Sequence, residues 1–425
     1  MSICINFQSL TMEQRKKIAK DLTVVMKPNG FSKFVKLKYI YPFEIDEANN
    51  KIFIPFGYTI KHKLGTRPVF PKYNIEFKGS LRDNQISIKN ELFRQIQKKG
   101  SSIISAYPGC GKTCIAIYTA KNLRVKTMII VNRIVLIQQW KQSILKFCGN
   151  NKDLVQIVTG KTKELKETSF FYIMNAQNVS KHPLSFYKTI GFLCIDECHL
   201  IMAEQLSKCM LHICPRYVVG LSATPYRKDG LNQLIDLYFG NEKIHRDLNR
   251  EHKVYKVMTQ FTPKEVKSPF TGKINWGSIL DQQANDVSRN RLIISILQKY
   301  KDRNFLVLCK RIKQGEYLIE QLKDMGESVT SLLGKQQTYD VSSRILIGTA
   351  SKAGVGFDHP KLDALLLAGD IKSYFIQYLG RVLRTPHVVP LIFDLVDNNN
   401  TLKSHFYSRR KIYINHGGLV EKYKI

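Results

Sequence analysis

The chain has 425 residues, 44% of them hydrophobic, with 66 Lys and Arg against 34 Asp and Glu, a formal net charge of +32. That length can bury two or three separate cores, and the cationic excess calls for a polyanionic partner, nucleic acid first and an anionic membrane surface second. A secreted or membrane-spanning class is not expected: no run approaches ~18 apolar residues, "MSICINFQSLTMEQRKK" reverses the charge order of a signal peptide, and the nine scattered cysteines suit thiols in a reducing intracellular compartment better than a disulfide framework.

Residues 1–80 read as a small basic accessory domain with β structure. "FVKLKYIYPFEI" and "KIFIPFGYTI" are short aromatic and β-branched runs bounded by Pro and Asn-Asn. In the first, alternation puts Lys36 and Lys38 on one face and Val35, Leu37 and Tyr39 on the other. The basic run "EQRKKIAK" (13–20) reads as a solvated face.

From residue 81 the pattern changes to that of a first α/β domain, 81–247. The apolar runs "SIISA", "TMIIV", "LVQIV", "FFYIM", "FLCID" and "YVVGLS" alternate with helical stretches such as 114–123 and 133–147. Buried strands separated by helices imply βαβ units and a parallel sheet.

The run "SIISA" leads into "AYPGCGKT", residues Ala106, Tyr107, Pro108, Gly109, Cys110, Gly111, Lys112 and Thr113, and then into a helical pattern. Strand, Gly-rich loop, Gly-Lys-Thr and helix are the context of a phosphate-binding loop. Its glycines let backbone N–H groups close around phosphate oxygens, and the helix start adds a favourable dipole. Lys112 would reach the β- and γ-phosphates of ATP, and the Thr113 hydroxyl would ligate Mg²⁺. Ala106 stands where the strict pattern has Gly.

About eighty residues on, "FLCID" ends in "DECH". An acid at the end of a sheet strand opposite a phosphate loop is the second Mg²⁺ anchor of such ATPases, so Asp196 would hold the metal. Glu197 would orient or deprotonate the attacking water. Zinc is the rival reading of these letters, but Cys194 and Cys198 lie on a strand and its exit with no second thiol pair. Trp140, at apolar spacing in a helix, reads as core.

A second α/β series fills 248–425, through "HKVYKV", "FLVLC", "RILIGT", "ALLLAG" and "PLIFDLV". The Pro/Gly-rich stretch 262–285 reads as an insertion or linker, and "SRRKIY" (408–413) as another solvated basic face.

The blocks "AYPGCGKT", "DECH", "LSAT" (221–224), "GTASKAGVGFD" (348–358) and "QYLGRVLR" (377–384) stand in the order of a superfamily 2 helicase. Their wording resembles the XPB/UvsW branch, which includes late-transcription helicases of large DNA viruses. The likeness spans roughly 81–415; Arg227, Lys228 and Asp229 stand where XPB-type proteins carry Arg-Glu-Asp.

The resemblance implies two tandem RecA-like parallel-sheet domains behind the N-terminal β-containing domain. It also implies site roles. Gln85 in "LRDNQ" would read the adenine, and Gly356 and Asp358 would face the nucleotide. Gln377, Arg381 and Arg384 would act on the γ-phosphate from the second domain, the two arginines sharing one helical face. His199, Ser222, Ala223 and Thr224 would couple hydrolysis to movement. Arg133, beside Asn132 where the family usually has Pro, and Thr349 would touch the nucleic-acid backbone.

The reading is an ATP- and Mg²⁺-dependent helicase or translocase, an enzyme of the nucleic-acid-stimulated ATPase class. It would be a monomer, with DNA preferred over RNA as its track and no membrane partner. Duplex or branched-DNA remodelling and transcript release are its expected settings, with transcription or replication machinery as partners. An RNA helicase and an ATPase motor subunit of a larger assembly are the alternatives, and a nucleic-acid-binding scaffold with a vestigial nucleotide site is the non-enzymatic rival.

Overall fold

A computed structural model describes residues 1–26, 38–202, 207, 210–223, 231–268, 272–336, 338–353, 359–371, 375–385 and 387–424. Val35, Lys36 and Leu37, the triplet Arg227–Lys228–Asp229, and the site candidates Thr224, Gly356 and Asp358 lie outside them. The chain divides into two compact units: Met1–Ala106 with Cys110–Arg246, and Asp247–Ile425 with Tyr107–Gly109.

In the first unit, β1 (Ser2–Asn6), β4 (Glu44–Asp46) and β5 (Lys51–Pro55) form an antiparallel sheet in the order β1-β5-β4. The strands β2 (Val24–Met26) and β3 (Lys38–Ile40) pair separately. The basic run 13–20 lies in the helix Met12–Asp21, opened by Thr11 and Gln14 in a reciprocal capping box.

"KIFIPFGYTI" is strand only as far as Pro55; Phe56–His62 is a helix. Pro55 supplies the extended N-cap (φ −50°, ψ 136°). The turn buries Phe56, Gly57, Tyr58 and Thr59 and packs on the helix Asn232–Phe239. Gly57 makes that approach possible, because a Cβ there would stand 2.2 Å from the Gly240 nitrogen. Residues 1–60 thus share a hydrophobic core with the rest of the unit, Ile54 and Phe56 clustering with Leu234 and Phe239.

The main sheet of this unit comprises β6 (Ser101–Ala106), β7 (Thr127–Val131), β8 (Val155–Val158), β9 (Phe171–Asn175), β10 (Phe192–Asp196), β11 (Tyr217–Ser222) and β12 (Lys243–Arg246). Its order is β12-β6-β11-β10-β7-β9-β8, with parallel pairings throughout. Every residue of β6, β7 and β9 is buried, as expected of strands covered by helices on both faces. The helices Lys112–Leu123 and Ile134–Cys148 follow β6 and β7.

The second unit repeats the form with β13 (His252–Met258), β14 (Phe305–Cys309), β15 (Val329–Leu332), β16 (Ile345–Thr349), β17 (Ala364–Leu367), β18 (Leu391–Val396) and β19 (Gly418–Lys422). The order is β15-β16-β14-β17-β18-β13-β19, again parallel throughout. Two hydrophobic clusters cover its faces, one around Leu306, Leu346 and Leu365, the other around Val307, Ile347 and Phe393.

Two expectations change here. The stretch 262–285 is no simple linker, because Trp276–Asn285 is a helix that buries Ile279, Gln283 and Ala284. The run 408–413 is a solvated face only in part: Ser408, Arg410 and Lys411 are exposed, but in the helix Asn400–Asn415 Arg409 turns inward. There it meets Asp394 through Nε and Nη2, both at 2.8 Å, and Asp370 through Nη1 at 2.9 Å. A buried guanidinium requires such pairing.

Candidate active site

The main sheet of the first unit brings the phosphate loop, "DECH" and "LSAT" together by strand order. β11 lies between β6 and β10, with Leu221 opposite both Ile104 and Asp196 and Ser222 opposite Ser105. Ala106, Ser222 and Asp196 therefore stand at the carboxyl ends of three adjacent parallel strands, where open α/β sheets place their ligand sites.

The loop after β6 has the backbone a phosphate cradle needs. Gly109 and Gly111 both adopt φ +89°, a left-handed conformation open to glycine at no steric cost. At Gly111 space matters too, since a Cβ there would fall 2.0 Å from Gln85 Nε2. The helix begins at Lys112 directly behind it. Lys112 Nζ donates to the Ala106 carbonyl at 2.7 Å, so the ammonium folds back across the loop. Thr113 sits partly exposed in the first turn, while Cys110 and Cys114 are buried.

Gln85, buried in the first turn of the helix Asp83–Lys99, is engaged at both ends. Its Oε1 accepts the Arg82 N–H at 2.9 Å and its Nε2 donates to the Cys110 carbonyl at 3.2 Å. Arg82 Nη2 reaches the same carbonyl at 3.3 Å. The helix start is thereby pinned to the phosphate loop, an anchoring role for Arg82 that the sequence reading missed.

Asp196 Oδ1 accepts the Glu197 N–H at 3.0 Å, and Oδ2 accepts the Trp140 indole N–H at 2.9 Å. Desolvation raises the carboxyl above the usual carboxylate range, opposed by the Trp140 bond, the Lys112 ammonium and the Glu197 N–H. Glu197 holds φ 47° and ψ 51°, a left-handed conformation that costs a non-glycine residue about 1–3 kcal/mol and marks functional sites. Behind it, His199 Nδ1 lies 2.9 Å from Ser222 Oγ and 3.5 Å from Glu197 Oε2. His199 and Ser222 are both buried, so "DECH" and "LSAT" share a closed polar contact. Ala223 follows at the strand exit.

Burial pushes the Cys194 and Cys198 thiols well up, keeping them protonated. Among the described residues no cluster of His, Cys, Asp and Glu could hold a metal ion by itself. Arg133 is the N-cap of the helix Ile134–Cys148, partly exposed beside the exposed Ile134.

In the second unit, Thr349 ends β16 with its hydroxyl 3.2 Å from Ser351 Oγ. Gln377 is buried in the helix Phe375–Val382, which also carries Arg381. That helix stops short of Arg384, so the two arginines do not share one helical face; Arg384 Nε instead donates back to the Gly380 carbonyl at 3.1 Å. Tyr378 Oη donates to the Ala350 carbonyl at 2.5 Å, tying the arginine helix to the residue after Thr349. Arg250 holds the segment beyond the helix through the carbonyls of Leu383 (2.8 Å), Thr385 and Val388 (2.7 Å). These anchors also went unread, because lone Tyr and Arg residues carry no sequence signal of the carbonyls they meet.

Residues 78–227 match the family described as "Type III restriction enzyme, res subunit". Helicase 161L of Invertebrate iridescent virus 6 is 42% identical over 402 residues, covering 89% of this chain and 91% of its own. Helicase 055L of Frog virus 3 (isolate Goorha) is 29% identical over 387 residues, 88% of this chain and 87% of its own. Among solved structures, S. cerevisiae Dbp5 bound to RNA and ADP BeF3 superposes with a TM-score of 0.57 at 13% identity, over 81% of this chain and 94% of its own. That likeness shows the two-sheet RecA-like helicase fold. With the ordered motifs and the near full-length viral relatives, the chain belongs to the superfamily 2 helicases, alongside those of large DNA viruses, and is a nucleic-acid-dependent ATPase working as a helicase or translocase.

Proposed function

We propose that the chain hydrolyses Mg²⁺–ATP at the carboxyl edge of the first unit's main sheet and uses the cycle to move along DNA. The observation that carries this is the convergence of Lys112, Asp196 and the His199–Ser222 contact at the ends of β6, β10 and β11. The residues present fit the cofactor: Gly109 and Gly111 leave a loop without Cβ atoms at its turning points, and the Asp196 carboxylate stands within the field of Lys112.

Lys112 exchanges its bond to the Ala106 carbonyl for phosphate oxygens. Asp196 and Thr113 would hold Mg²⁺, which would neutralise charge on the phosphates. Glu197 takes the proton of the attacking water, its αL backbone fixing the carboxylate's direction. The His199–Ser222 contact passes the state of "DECH" to the β11 exit. Gln85 gives up one of its two backbone bonds to read adenine.

The family resemblance supports γ-phosphate roles for Gln377, Arg381 and Arg384, and backbone contacts for Arg133 and Thr349. The net charge of +32 supports a sequence-independent, salt-sensitive grip on phosphates. DNA is the preferred track because the motif wording follows a DNA-acting branch. Remodelling of branched DNA and transcript release both fit such a motor.

The test is the ATPase rate of the full chain with single-stranded DNA, duplex DNA, forked DNA and RNA. Stimulation by DNA above RNA is expected. Stimulation by RNA alone would replace DNA as the track, and none by any nucleic acid would overturn the motor.

A further inference from the structure

Trp140 looks like a core residue: it lies in the helix Ile134–Cys148 in step with Leu136, Ile137, Ile144 and Cys148, and only 2% of it is exposed. Its indole N–H nevertheless meets Asp196 Oδ2 at 2.9 Å. An indole has a single donor and no acceptor, so this bond is its whole polar capacity, and burial makes the bond costly to leave unmade. The other carboxylate oxygen accepts the Glu197 backbone N–H at 3.0 Å. With one fixed donor on each oxygen, the carboxylate cannot turn about its Cβ–Cγ bond without breaking both. One donor belongs to the strained αL turn at Glu197, the other to a different helix.

Mg²⁺ demands near-ideal octahedral ligand directions, so an oxygen ligand that turns freely binds it poorly. We infer that Trp140 is a positioning residue that sets the orientation of Asp196 toward the Mg²⁺ of bound nucleotide, and that its indole emission consequently reports Mg²⁺ arrival. The inference rests on the reading of Asp196 as the Mg²⁺ anchor. Outer donors of this kind typically change metal affinity about 10-fold or more when removed. A packing role alone would leave the Mg²⁺ dependence untouched.

The chain has two tryptophans, so Trp276→Phe leaves Trp140 as the sole indole. Two measurements on the full chain decide the matter. In the first, Mg²⁺ is titrated into protein with mant-ADP, and binding is followed by anisotropy for wild type, Trp140→Phe and Asp196→Asn. Trp140→Phe keeps an aromatic ring in the core and should need about 10-fold more Mg²⁺ for half-maximal binding, with mant-ADP affinity in EDTA unchanged. In the second, Mg²⁺ added to ADP-saturated Trp276→Phe protein should shift the Trp140 emission, and the shift should vanish when Asp196→Asn is added.

A Trp140→Phe titration that superposes on wild type while Asp196→Asn is displaced overturns the role of Trp140 alone. Superposition of all three overturns the Asp196 reading itself. Should Trp140→Phe fail to fold, the emission measurement still decides: no Mg²⁺-dependent shift in a Trp276→Phe protein that binds mant-ADP with wild-type Mg²⁺ dependence overturns the inference.

Discussion

Removing the guanidinium of Arg409 should strongly destabilise the second unit. Arg409 makes two bonds of 2.8 Å to Asp394, one of 2.9 Å to Asp370 and one of 3.1 Å to the Ile371 carbonyl. Side-chain exposure is 5% for the arginine, 2% for Asp370 and 0% for Asp394. In Arg409→Met, Asp394 keeps one donor, the Tyr413 hydroxyl at 2.8 Å, and Asp370 keeps His405 Nδ1 at 2.7 Å. Asp394 then remains in a desolvated site without its cationic partner, while Asp370 still has His405 and the nearby Lys310 ammonium. Breaking a buried pair in this way costs about 3–5 kcal/mol, a fifth or more of the ~5–15 kcal/mol that holds a typical domain together. Asp394→Asn placed on top of Arg409→Met should recover part of the loss, because it removes the charge left stranded. Urea denaturation of the full chain followed by far-UV circular dichroism, run as a double-mutant cycle, reads both numbers. A loss under about 1 kcal/mol, or a double mutant that equals the sum of the singles, would refute the view that this cluster is one buried electrostatic unit. Asp370 and Ile371 immediately precede the segment leading to the arginine helix, so the same variant should also lower kcat at temperatures where it stays folded.

Other perturbations separate chemistry from packing. Lys112→Ala and Glu197→Gln should each lower nucleic-acid-stimulated ATPase turnover by about 10²–10⁴-fold, while Glu197→Gln retains nucleotide binding by fluorescence titration. Wild-type turnover in Glu197→Gln would remove the base assignment. Gly57→Ala drives a methyl to 2.2 Å from the Gly240 nitrogen and should destabilise the first unit by about 1–3 kcal/mol in urea melts; an unchanged midpoint would contradict the tight helix approach. His252 is buried, with Nδ1 2.7 Å from the Arg250 carbonyl. Burial holds its pKa below 6.5; the bond to the Arg250 carbonyl opposes this, and the nearby His416 and Arg250 charges add to the lowering. A lowered folded-state pKa means the unfolded chain takes up the proton first. Stability from this residue is therefore complete above the ordinary histidine range and lost as pH falls through the lowered pKa. Urea midpoints at pH 7.5 and 5 should differ less in His252→Gln than in wild type, and equal differences would clear His252 of the effect.

How much was legible depended on burial on both faces. Central strands such as β7, β9, β14 and β18 are buried along their whole length and announce themselves as apolar runs. Within the two parallel sheets, the strands that escaped are β12 ("KIHR"), β15 ("VTSL") and β19 ("GLVEK"), each at the edge of its sheet. An edge strand faces water on one side and needs no such run. The helix Phe56–His62 was mistaken for strand for the opposite reason, since a short run buried all round has no period to read.

The site divides along another line. Lys112, Asp196 and Glu197 are visible because their residue types and spacing are themselves the chemistry. Trp140, Arg250 and Tyr378 act through hydrogen bonds to groups that strand order brings near them, and β11 entering between β6 and β10 is invisible in one dimension. A buried tryptophan fits helical periodicity whether its indole meets a carboxylate or nothing polar at all, so pattern alone assigns it to the core. Only the position of Asp196 Oδ2, 2.9 Å away, distinguishes the two cases.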